Sequence, residues 1–496
     1  MERDYTLFIP EYIAAGGAVV IIALEMFLPR LRKDHIAYLT ALVALAWGVA
    51  ACFWIDADPE TFQGVVTVDD FTTFFRVLGA GIVFVVALQS AHYMRDKVTT
   101  AGEYYGLLLI GGCGLVFMAA ARELITAYIS LEVLSFSLYI LVGYLRRDGL
   151  SSEASLKYIL LGAFSSAMLL YGISMIYGVT GSTYYDEIAE GLAERSSDTD
   201  AAVVIGIMLM IAGVGFKVSA APFHMWAPDA YEGAPMPITA FLSTASKAAG
   251  FALILRFFAT ALDVDEDIWK WAIAALAALT MTAGNLLAIQ QSNLKRLIAY
   301  SSIGQVGYML VVIAAIGYGD AETGLNATSG LLLHIAGYVI STLALFTALT
   351  AYYNRTGKDT VEGLRGLAET QPMLAMIILV SLFSFAGMPF FAGFATKLFM
   401  FQGSVTDDLL WLVGLAVLNS FISLYYYLMI MRQMYLFDPE DGLTRFKVSP
   451  VLGVVGAVLM LGVIAIGTYP APLFEAAEDA ASPLFEDSNG ELVDAP

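Results

Sequence analysis

Charged residues are scarce in this sequence. Only 14% of its 496 residues are Asp, Glu, Lys or Arg, whereas soluble domains carry about 25%. Hydrophobic residues make up 59% of the chain, and the mean hydropathy is +0.74. This balance excludes an ordinary soluble domain and predicts a polytopic membrane protein. The net charge of −20 does not indicate a nucleic-acid or other basic partner, because the acids collect in alternate loops and after Pro472.

Cysteines and nucleotide-binding motifs are also nearly absent. The two cysteines, Cys52 and Cys113, lie in apolar runs and provide neither a disulfide framework nor a metal-binding spacing. The sequence has no P-loop, no glycine-rich dinucleotide motif and no zinc-protease motif. No polar segment is long enough for a nucleotide-binding domain, so we expect this chain to bind no flavin, haem, iron–sulfur centre or metal. The start, Met1 to Asp4, lacks the basic region of a cleavable signal peptide.

Long apolar runs fill most of the chain. Since about 20 apolar residues span a bilayer, we predict an all-α polytopic membrane protein with about fourteen transmembrane helices. Spans seven and twelve are longer than one straight crossing requires and contain a break. The predicted spans are 7–28, 36–55, 71–94, 103–121, 123–145, 154–180, 201–230, 236–262, 268–290, 295–318, 326–353, 371–402, 408–434 and 449–470.

The loops between these spans alternate in charge. Basic clusters such as Arg30 to Lys33, Arg146-Arg147 and Arg355 to Arg365 alternate with acidic loops such as Asp186 to Asp200 and Asp407-Asp408. The positive-inside rule places the basic loops in the cytoplasm. With an even number of spans, we expect both termini on the outer, periplasmic side of a bacterial inner membrane.

Prolines interrupt two of the spans. Pro222 breaks span seven and Pro389 breaks span twelve, five spans later. An odd offset means that the second copy crosses the membrane in the opposite direction, which is typical of inverted repeats with a transport site near the broken helices. We predict three N-terminal spans, two inverted five-helix repeats, and a last span with an acidic tail. The corresponding boundaries are 1–100, 101–264, 265–440 and 441–496.

Five ionisable residues lie inside or near the middle of apolar spans. A charge at the bilayer centre costs roughly 2.5–3.5 kcal/mol even on the lenient insertion scale, so such residues favour an ion or proton path. Glu132 could instead be a hydrogen-bonded structural acid, and Lys157 could extend to the interface. The five are Glu132, Lys157, Lys217, Lys247 and Lys397.

Two histidines accompany these residues. His224 lies beside the break in span seven and His334 lies inside span eleven. The ordinary pKa of histidine, about 6.5, suits proton transfer. A capping or loop role is the alternative for His224. A Glu–Lys pair about 4 Å apart interacts by about 4 kcal/mol at an effective dielectric of 20. Movement of Glu132 relative to a lysine could therefore load or unload a proton.

Four stretches resemble a known family. They are LEVLSFSLYILVGYLRR, EASLKYILLGAFSSAMLLYG, GFKVSAAPFHMWAPDAYEGAP and NLKRLIAYSSIGQVGYML. They are similar to the subunit N family of the proton-pumping NADH-quinone oxidoreductase, respiratory complex I, and the match extends from span one to span fourteen. The wider family includes the other antiporter-like subunits of complex I and the Mrp-type sodium/proton antiporters.

The resemblance implies a role for each intramembrane residue. Glu132 and Lys217 would form the switching pair, Lys247 the relay and Lys397 the exit toward the outside. Lys397 fits subunit N, because subunit M carries glutamate there, and the chain lacks the lateral helix of subunit L. His334 departs from the subunit N pattern and is similar to the sister subunits. Lys157 and His224 match a span-six lysine and the histidine after the break.

The resemblance also implies where the redox chemistry occurs. FMN, iron–sulfur clusters, NADH and quinone are expected in partner subunits, with none of them in this chain. The expected partners are antiporter-like subunit M, small membrane subunits, the lipid bilayer and protons. The alternatives are a subunit of a Mrp-type cation/proton antiporter, a ferredoxin-driven complex I-like enzyme, and a membrane scaffold whose lysines bind lipid headgroups.

Overall fold

The chain folds into a bundle of α-helices. In the computed structural model, the described residues are 5–28, 32–55, 57–95, 97–98, 100–195, 200–262, 266–439, 444–485 and 492. Parts of the charged loops named above, including Arg30 and 196–199, lie outside these residues. Most described residues are helical, and a short antiparallel pair of strands, β1 (Glu60–Phe62) and β2 (Val66–Val68), lies in one loop.

Nineteen α-helices occur in the described part of the chain. Short 3-10 turns at Tyr5–Phe8, Cys52–Trp54, Glu362–Leu364 and Ser482–Leu484 flank some of them. In chain order the helices are α1 (Ile9–Phe27), α2 (Lys33–Ala51), α3 (Asp70–Tyr93), α4 (Gly102–Ala120), α5 (Leu124–Val142), α6 (Gly149–Thr180), α7 (Tyr185–Ala193), α8 (Asp200–Val218), α9 (Trp226–Gly233), α10 (Met236–Thr260), α11 (Glu266–Ala288), α12 (Leu294–Ile316), α13 (Ala321–Thr356), α14 (Leu367–Thr370), α15 (Pro372–Ala386), α16 (Ala392–Gly403), α17 (Leu410–Leu436), α18 (Pro450–Thr468) and α19 (Ala471–Ala481).

The helix lengths confirm the all-α polytopic fold. Thirteen helices of the described chain are long and apolar enough to cross a membrane. Predicted span twelve, 371–402, corresponds to α15, of 15 residues, followed by α16, of 12 residues. The chain is therefore a multi-pass integral membrane protein. The inverted relation of the two repeats and the four domain boundaries stay predictions.

Two helices extend well beyond their predicted spans. Helix α6 begins at Gly149 rather than 154, because the Asp148 carboxylate accepts a hydrogen bond from the Leu150 N–H at 3.0 Å. Helix α13 has 36 residues, about 54 Å at 1.5 Å per residue, and the Asp320 carboxylate caps its start. These polar caps lie outside the apolar runs, so hydropathy alone places the helix starts too late.

Some elements were not predicted at all. These are the β1–β2 hairpin and the helices α7, α14 and α19. Helix α19 lies in the acidic tail, where it buries Ala477, Ala480 and Ala481. It packs against α3 and α13, and Phe474 stacks on Phe399 with ring centroids 4.5 Å apart. This apolar face is too short for a membrane span and lies in an acidic segment, so hydropathy does not predict the helix.

Helices α10, α12 and α13 form the centre of the bundle. Every residue of α10 from Met236 to Phe258 is buried. Helices α11 and α12 pack closely because a glycine of α12 lies directly against the backbone of α11. A Cβ added at Gly307 would lie 2.3 Å from the Met281 backbone nitrogen, whereas one added at Gly414 of α17 would meet nothing within 4 Å.

We expect Gly307→Ala to destabilise the protein by about 1–3 kcal/mol, the usual cost of overpacking. The methyl group would have to separate α11 from α12, because the obstruction is backbone. Gly414→Ala is the matched control and should be neutral or stabilising by up to about 1 kcal/mol. Denaturant unfolding of both purified variants checks this. Equal stability of the two would contradict the close approach.

Candidate functional site

Hydrogen bonds to neighbouring groups stabilise the break between α8 and α9. Helix α8 ends at Val218, Pro222 follows a cis Ala221-Pro222 bond, and α9 begins at Trp226. The Ala221 N–H donates to Thr280 Oγ1 at 2.9 Å, and Trp226 Nε1 donates to the Phe216 carbonyl at 2.9 Å. Because irregular backbone at membrane depth must find partners within the protein, these bonds hold Lys217, at the end of α8, in a fixed place.

The second break separates α15 from α16. Helix α15 ends at Ala386, and Gly387 (φ 76°) takes the left-handed conformation that favours glycine. Phe390, just after Pro389, also has a positive φ of 73°. Helix α16 then begins at Ala392 and presents Lys397. Each break thus lies within a few residues of a buried lysine.

Lys217 and Glu132 lie close together without a direct ion pair. Lys217 is 3% exposed and its Nζ donates to Ser135 Oγ at 2.8 Å. Glu132 lies nearly one turn before Ser135 on α5 and accepts a hydrogen bond from Ser166 Oγ of α6. Ser135 Oγ itself donates to the Leu131 carbonyl at 2.7 Å, so Lys217 and Glu132 each have a different serine as hydrogen-bond partner.

Lys157 lies in an ionic cluster rather than in the buried row. Its side chain is 46% exposed, and Nζ lies 2.7 Å from Glu153 Oε1 and 2.8 Å from Asp229 Oδ2. Arg296 of α12 lies 2.5 Å from the other Asp229 oxygen and 2.9 Å from Glu232. The cluster connects α6, α9 and α12 immediately after the first break. Asp229 and Glu232 were not predicted as site residues, although their position in a broken apolar span was a signal.

His224 lies apart from the lysines. It is half-buried within the break, and its Nδ1 has no hydrogen-bond partner in the described part of the chain. Its ring centroid lies 6.5 Å from that of Tyr300. The structure therefore does not bring His224 into hydrogen-bond contact with Lys217 or Lys247.

Lys247 begins a chain of buried hydroxyl groups. Lys247 is 2% exposed, and its Nζ donates to the Tyr231 hydroxyl at 3.1 Å. The Tyr231 oxygen lies 3.4 Å from Ser302 Oγ, which lies 2.6 Å from the Tyr338 hydroxyl. The Tyr338 hydroxyl also lies 2.8 Å from Ser243 Oγ. This hydroxyl chain (Tyr231, Ser243, Ser302 and Tyr338) joins α9, α10, α12 and α13 at the centre of the bundle.

Lys397 lies at the far end of the buried row. It is 5% exposed, and Nζ donates to the Phe385 carbonyl at 2.9 Å and to Ser420 Oγ at 3.0 Å. The Phe385 carbonyl also accepts from Gln305 Nε2 of α12 at 3.2 Å. Among the described residues, no carboxylate forms an ion pair with Lys397. Lys397 can therefore gain or lose a proton without breaking an ion pair with a described carboxylate.

His334 contacts the helix that carries Lys397. Its Nδ1 lies 2.8 Å from Thr396 Oγ1, and the ring is 2% exposed. Nε2 is buried with no hydrogen-bond partner in the described chain. A buried ring nitrogen without a partner can accept or donate a proton through water, so His334 is placed beside the end of the row and not on the direct line from Lys247.

Two buried ion pairs were also missed by the sequence analysis. Arg256 of α10 forms a bidentate pair with Asp69 at 2.8 Å, and both side chains are 4% exposed. Arg76 of α3 forms a similar pair with Glu11 of α1 at 2.8 and 2.9 Å. Opposite charges at matching depths of apolar spans were the available signal. No group of three or more metal-binding side chains occurs in the described part of the chain.

Comparison with known proteins gives a consistent result. Residues 121–423 match the family described as NADH:quinone oxidoreductase/Mrp antiporter, transmembrane. The chain is 38% identical over 475 residues to NADH-quinone oxidoreductase subunit N of Moorella thermoacetica, covering 96% of this chain and 98% of that protein.

Two solved structures share the fold over nearly the whole chain. One is from respiratory complex I of Thermus thermophilus with bound aureothin, at 29% identity and a TM-score of 0.79, covering 95% of this chain and 100% of that one. The other is from the Mrp complex of Dietzia sp., at 22% identity and a TM-score of 0.84, covering 98% of each chain, and it shows the fold alone. On the family match and the near-complete alignment, the chain belongs to the NADH-quinone oxidoreductase subunit N family.

Proposed function

We propose that this chain passes protons along a row of buried lysines and hydroxyl groups, as the antiporter-like subunit N of a proton-translocating NADH-quinone oxidoreductase. The observation that carries the proposal is the hydroxyl chain that begins at Lys247, between the two broken helices. Hydroxyl groups both donate and accept hydrogen bonds. Buried lysines and hydroxyls therefore supply sites for successive proton transfers.

The first part of the path is Glu132 and Lys217. An approach of the Glu132 carboxylate stabilises the protonated Lys217, and its withdrawal toward Ser166 favours proton release. The Ser135 hydroxyl holds the ammonium group between these states. Lys157 and Asp229 lie at an exposed edge of the protein, where the ionic cluster would exchange protons with water or with a neighbouring subunit.

The second part leads from Lys247 to Lys397. Protons pass through the hydroxyl chain to Ser302 and Tyr338, and Gln305 lies one turn after Ser302 on α12. Gln305 and Lys397 share the Phe385 carbonyl as acceptor, and this bond holds Lys397 in place. Since an amide and a carbonyl do not relay a proton, water between Tyr338 and Lys397 completes this step. His334 accepts or returns a proton beside Lys397 through Nε2, and His224 has a role only if the first break moves.

The remaining assignments follow from this role. Flavin, iron–sulfur clusters, NADH and quinone belong to partner subunits, and quinone reduction there drives the charge movements in this chain. The chain itself performs no redox chemistry. Its partners are antiporter-like subunit M and small membrane subunits. In a bacterial inner membrane, the positive-inside bias supports both termini in the periplasm, and the paired helix breaks support the inverted repeats.

A Tyr338→Phe variant tests the hydroxyl chain. The substitution removes the contacts to Ser302 and Ser243 while it keeps the ring, so we expect proton translocation per NADH oxidised to fall, with the redox complex still assembled. General acid–base groups contribute about 10²–10⁴-fold to transfer rates, and water can replace part of this, so a several-fold loss of pumping rate is expected. Vesicle acidification during NADH oxidation measures it.

The matched control for this test is Tyr104→Phe. The Tyr104 hydroxyl is buried and lies 2.8 Å from Ser90 Oγ, away from the lysine row. This variant should pump normally. Normal pumping by Tyr338→Phe, or an equal loss in both variants, would contradict a role of the hydroxyl chain in proton transfer.

The alternatives differ in what they require of the lysines. A scaffold that binds lipid headgroups through Lys217, Lys247 and Lys397 is disfavoured, because these side chains are only 3, 2 and 5% exposed. The shared fold is the only observation that supports a Mrp-type cation/proton antiporter. A ferredoxin-driven enzyme would use the same row in this chain with a different electron donor in its partners.

A further inference from the structure

A basic cavity opens between the ends of α3, α13 and α18, away from the lysine row. It has a volume of about 750 Å³. None of the described residues that line it is acidic, although Asp96 in the same loop lies outside the described residues. Its cationic or titratable lining residues are His92, Arg95, Lys97, Arg355 and Lys447.

Two of these cations contact aromatic rings or a carboxylate. Lys97 Nζ lies 3.5 Å from the ring centroid of Tyr93 and 4.8 Å from that of Tyr353. Arg95 lies 3.7 Å from the Asp34 carboxylate, so part of its charge is balanced. Burial and the like charge of Lys295 lower the pKa of Lys97 to about 8. An anion in the cavity would relieve this repulsion.

The first turn of α18 adds further donors at the same place. Ser449 precedes Pro450 and lines the cavity, and its buried Oγ has no hydrogen-bond partner within the described chain. The first N–H groups of a helix have no partner inside the helix and favour anions. Helix α18 has 19 residues, so its dipole reinforces the basic side chains.

An apolar groove continues directly from the basic cavity along the seam between α3 and α18. It has a volume of about 500 Å³, and along α18 it runs from Pro450 to Leu459, about 14 Å at 1.5 Å per residue. It continues into a further cavity of about 410 Å³ that shares Val85 and Leu459 and reaches α19. Its lining includes Val85, Leu88, Val451, Val454, Val455 and Val458.

We propose that an anionic phospholipid binds at this seam, with its phosphate in the basic cavity and an acyl chain in the apolar groove. Basic pockets between transmembrane helices on the side of the basic loops are suited to anionic headgroups. The adjoining purely apolar groove selects a lipid over a free phosphate ion. The apolar helix of a partner subunit would cover the groove but would add no negative charge at the cavity.

Lipid binding to the purified complex that contains this chain tests the proposal. After mild delipidation, the complex is titrated with phosphatidylglycerol or phosphatidylcholine, and bound lipids are counted by native mass spectrometry. We expect one tight site that prefers phosphatidylglycerol. Lys447→Glu should weaken it roughly tenfold, because basic groups near a membrane surface attract anionic lipid. Arg445→Glu makes the same charge change two residues away, outside the cavity, and should have no effect.

A second pair of variants tests the groove without changing charge. Val454→Trp fills the groove and should abolish the tight site, whereas Leu461→Trp, on the same helix but not in its lining, should not. NADH–quinone activity verifies that each variant is assembled. If Lys447→Glu fails to assemble, the tryptophan pair decides alone.

Three results would overturn the proposal. One is unchanged lipid binding in Val454→Trp. Another is displacement of the bound anion by inorganic phosphate with no dependence on the groove, which would mean a soluble ion. The third is a helix of another subunit occupying the seam between α3 and α18 in the assembled complex.

Discussion

Lys217→Ala is expected to abolish or strongly lower proton pumping in an assembled complex. Lys217 is the buried lysine nearest the first break, and its Nζ donates to Ser135 Oγ, which lies nearly one turn after Glu132 on α5. Alanine cannot hold a proton, so the row would be interrupted between Glu132 and Lys247. A loss of at least about tenfold in pumping rate is expected, the lower part of the range for acid–base groups.

The measurement must separate proton transfer from assembly. Purified complexes in vesicles are compared for NADH-driven quinone reduction and for internal acidification. Lys217→Arg should also lose most of the pumping, because the guanidinium group keeps the charge but does not release a proton. Lys270→Ala is a control on α11, where the lysine lies 5.0 Å from the ring centroid of Tyr318 and off the row. A normal proton yield in an assembled Lys217→Ala complex would refute the assignment.

Arg256→Met is expected to destabilise the protein by about 3–5 kcal/mol, the usual cost of breaking a buried ion pair. The substitution leaves Asp69 buried with its charge unpaired, since both oxygens bond to the guanidinium group. It also removes the bond to the Ala119 carbonyl that ties α10 to α4. Reduced amounts of the chain in the membrane and a lower unfolding midpoint would follow.

A double variant distinguishes charge from packing. Arg256→Met with Asp69→Asn removes both charges and keeps the side chain that caps α3 at the Thr72 N–H. Its loss of stability should be clearly smaller than that of Arg256→Met alone. Arg122→Met, which breaks the exposed pair with Asp186, should cost at most about 1 kcal/mol. Equal losses in Arg256→Met and in the double variant would contradict an unpaired-charge mechanism.

The burial of an ionisable residue could be predicted from the sequence where the whole surrounding span is apolar. Lys217, Lys247 and Lys397 stand in apolar context on every side, so their burial followed from composition alone. Lys157 shows the limit: its partner Asp229 lies 72 positions away in the sequence, and periodicity does not reveal which helices meet. The structure therefore places Lys157 at an exposed edge, a choice that the sequence left open.

The hydroxyl chain could not have been found from the sequence. Ser and Tyr are common in transmembrane helices, and nothing in a single span distinguishes Tyr338 from other tyrosines. Their significance arises because α9, α10, α12 and α13 converge at Ser302 and Tyr338. The early starts of α6 and α13 were missed for a local reason, since they depend on the capping carboxylates of Asp148 and Asp320.

The two ion pairs of Arg76 and Arg256 show a third kind of limit. Both arginines lie in spans whose hydropathy stays high, so hydropathy does not single out either charge. Their partners are Glu11, on another helix, and Asp69, just before α3. Only the packing of α1, α3 and α10 shows that each charge is neutralised within the bundle, which makes these pairs structural anchors and not steps in a proton path.

Purification of the chain from its native membrane under mild conditions tests the central claim most directly. The proposed function predicts that flavin and iron–sulfur subunits accompany the chain, and that this assembly reduces quinone with NADH and acidifies vesicles as it does so. Recovery with small membrane subunits alone, with no redox activity but with cation/proton exchange, would contradict the claim and favour the antiporter alternative.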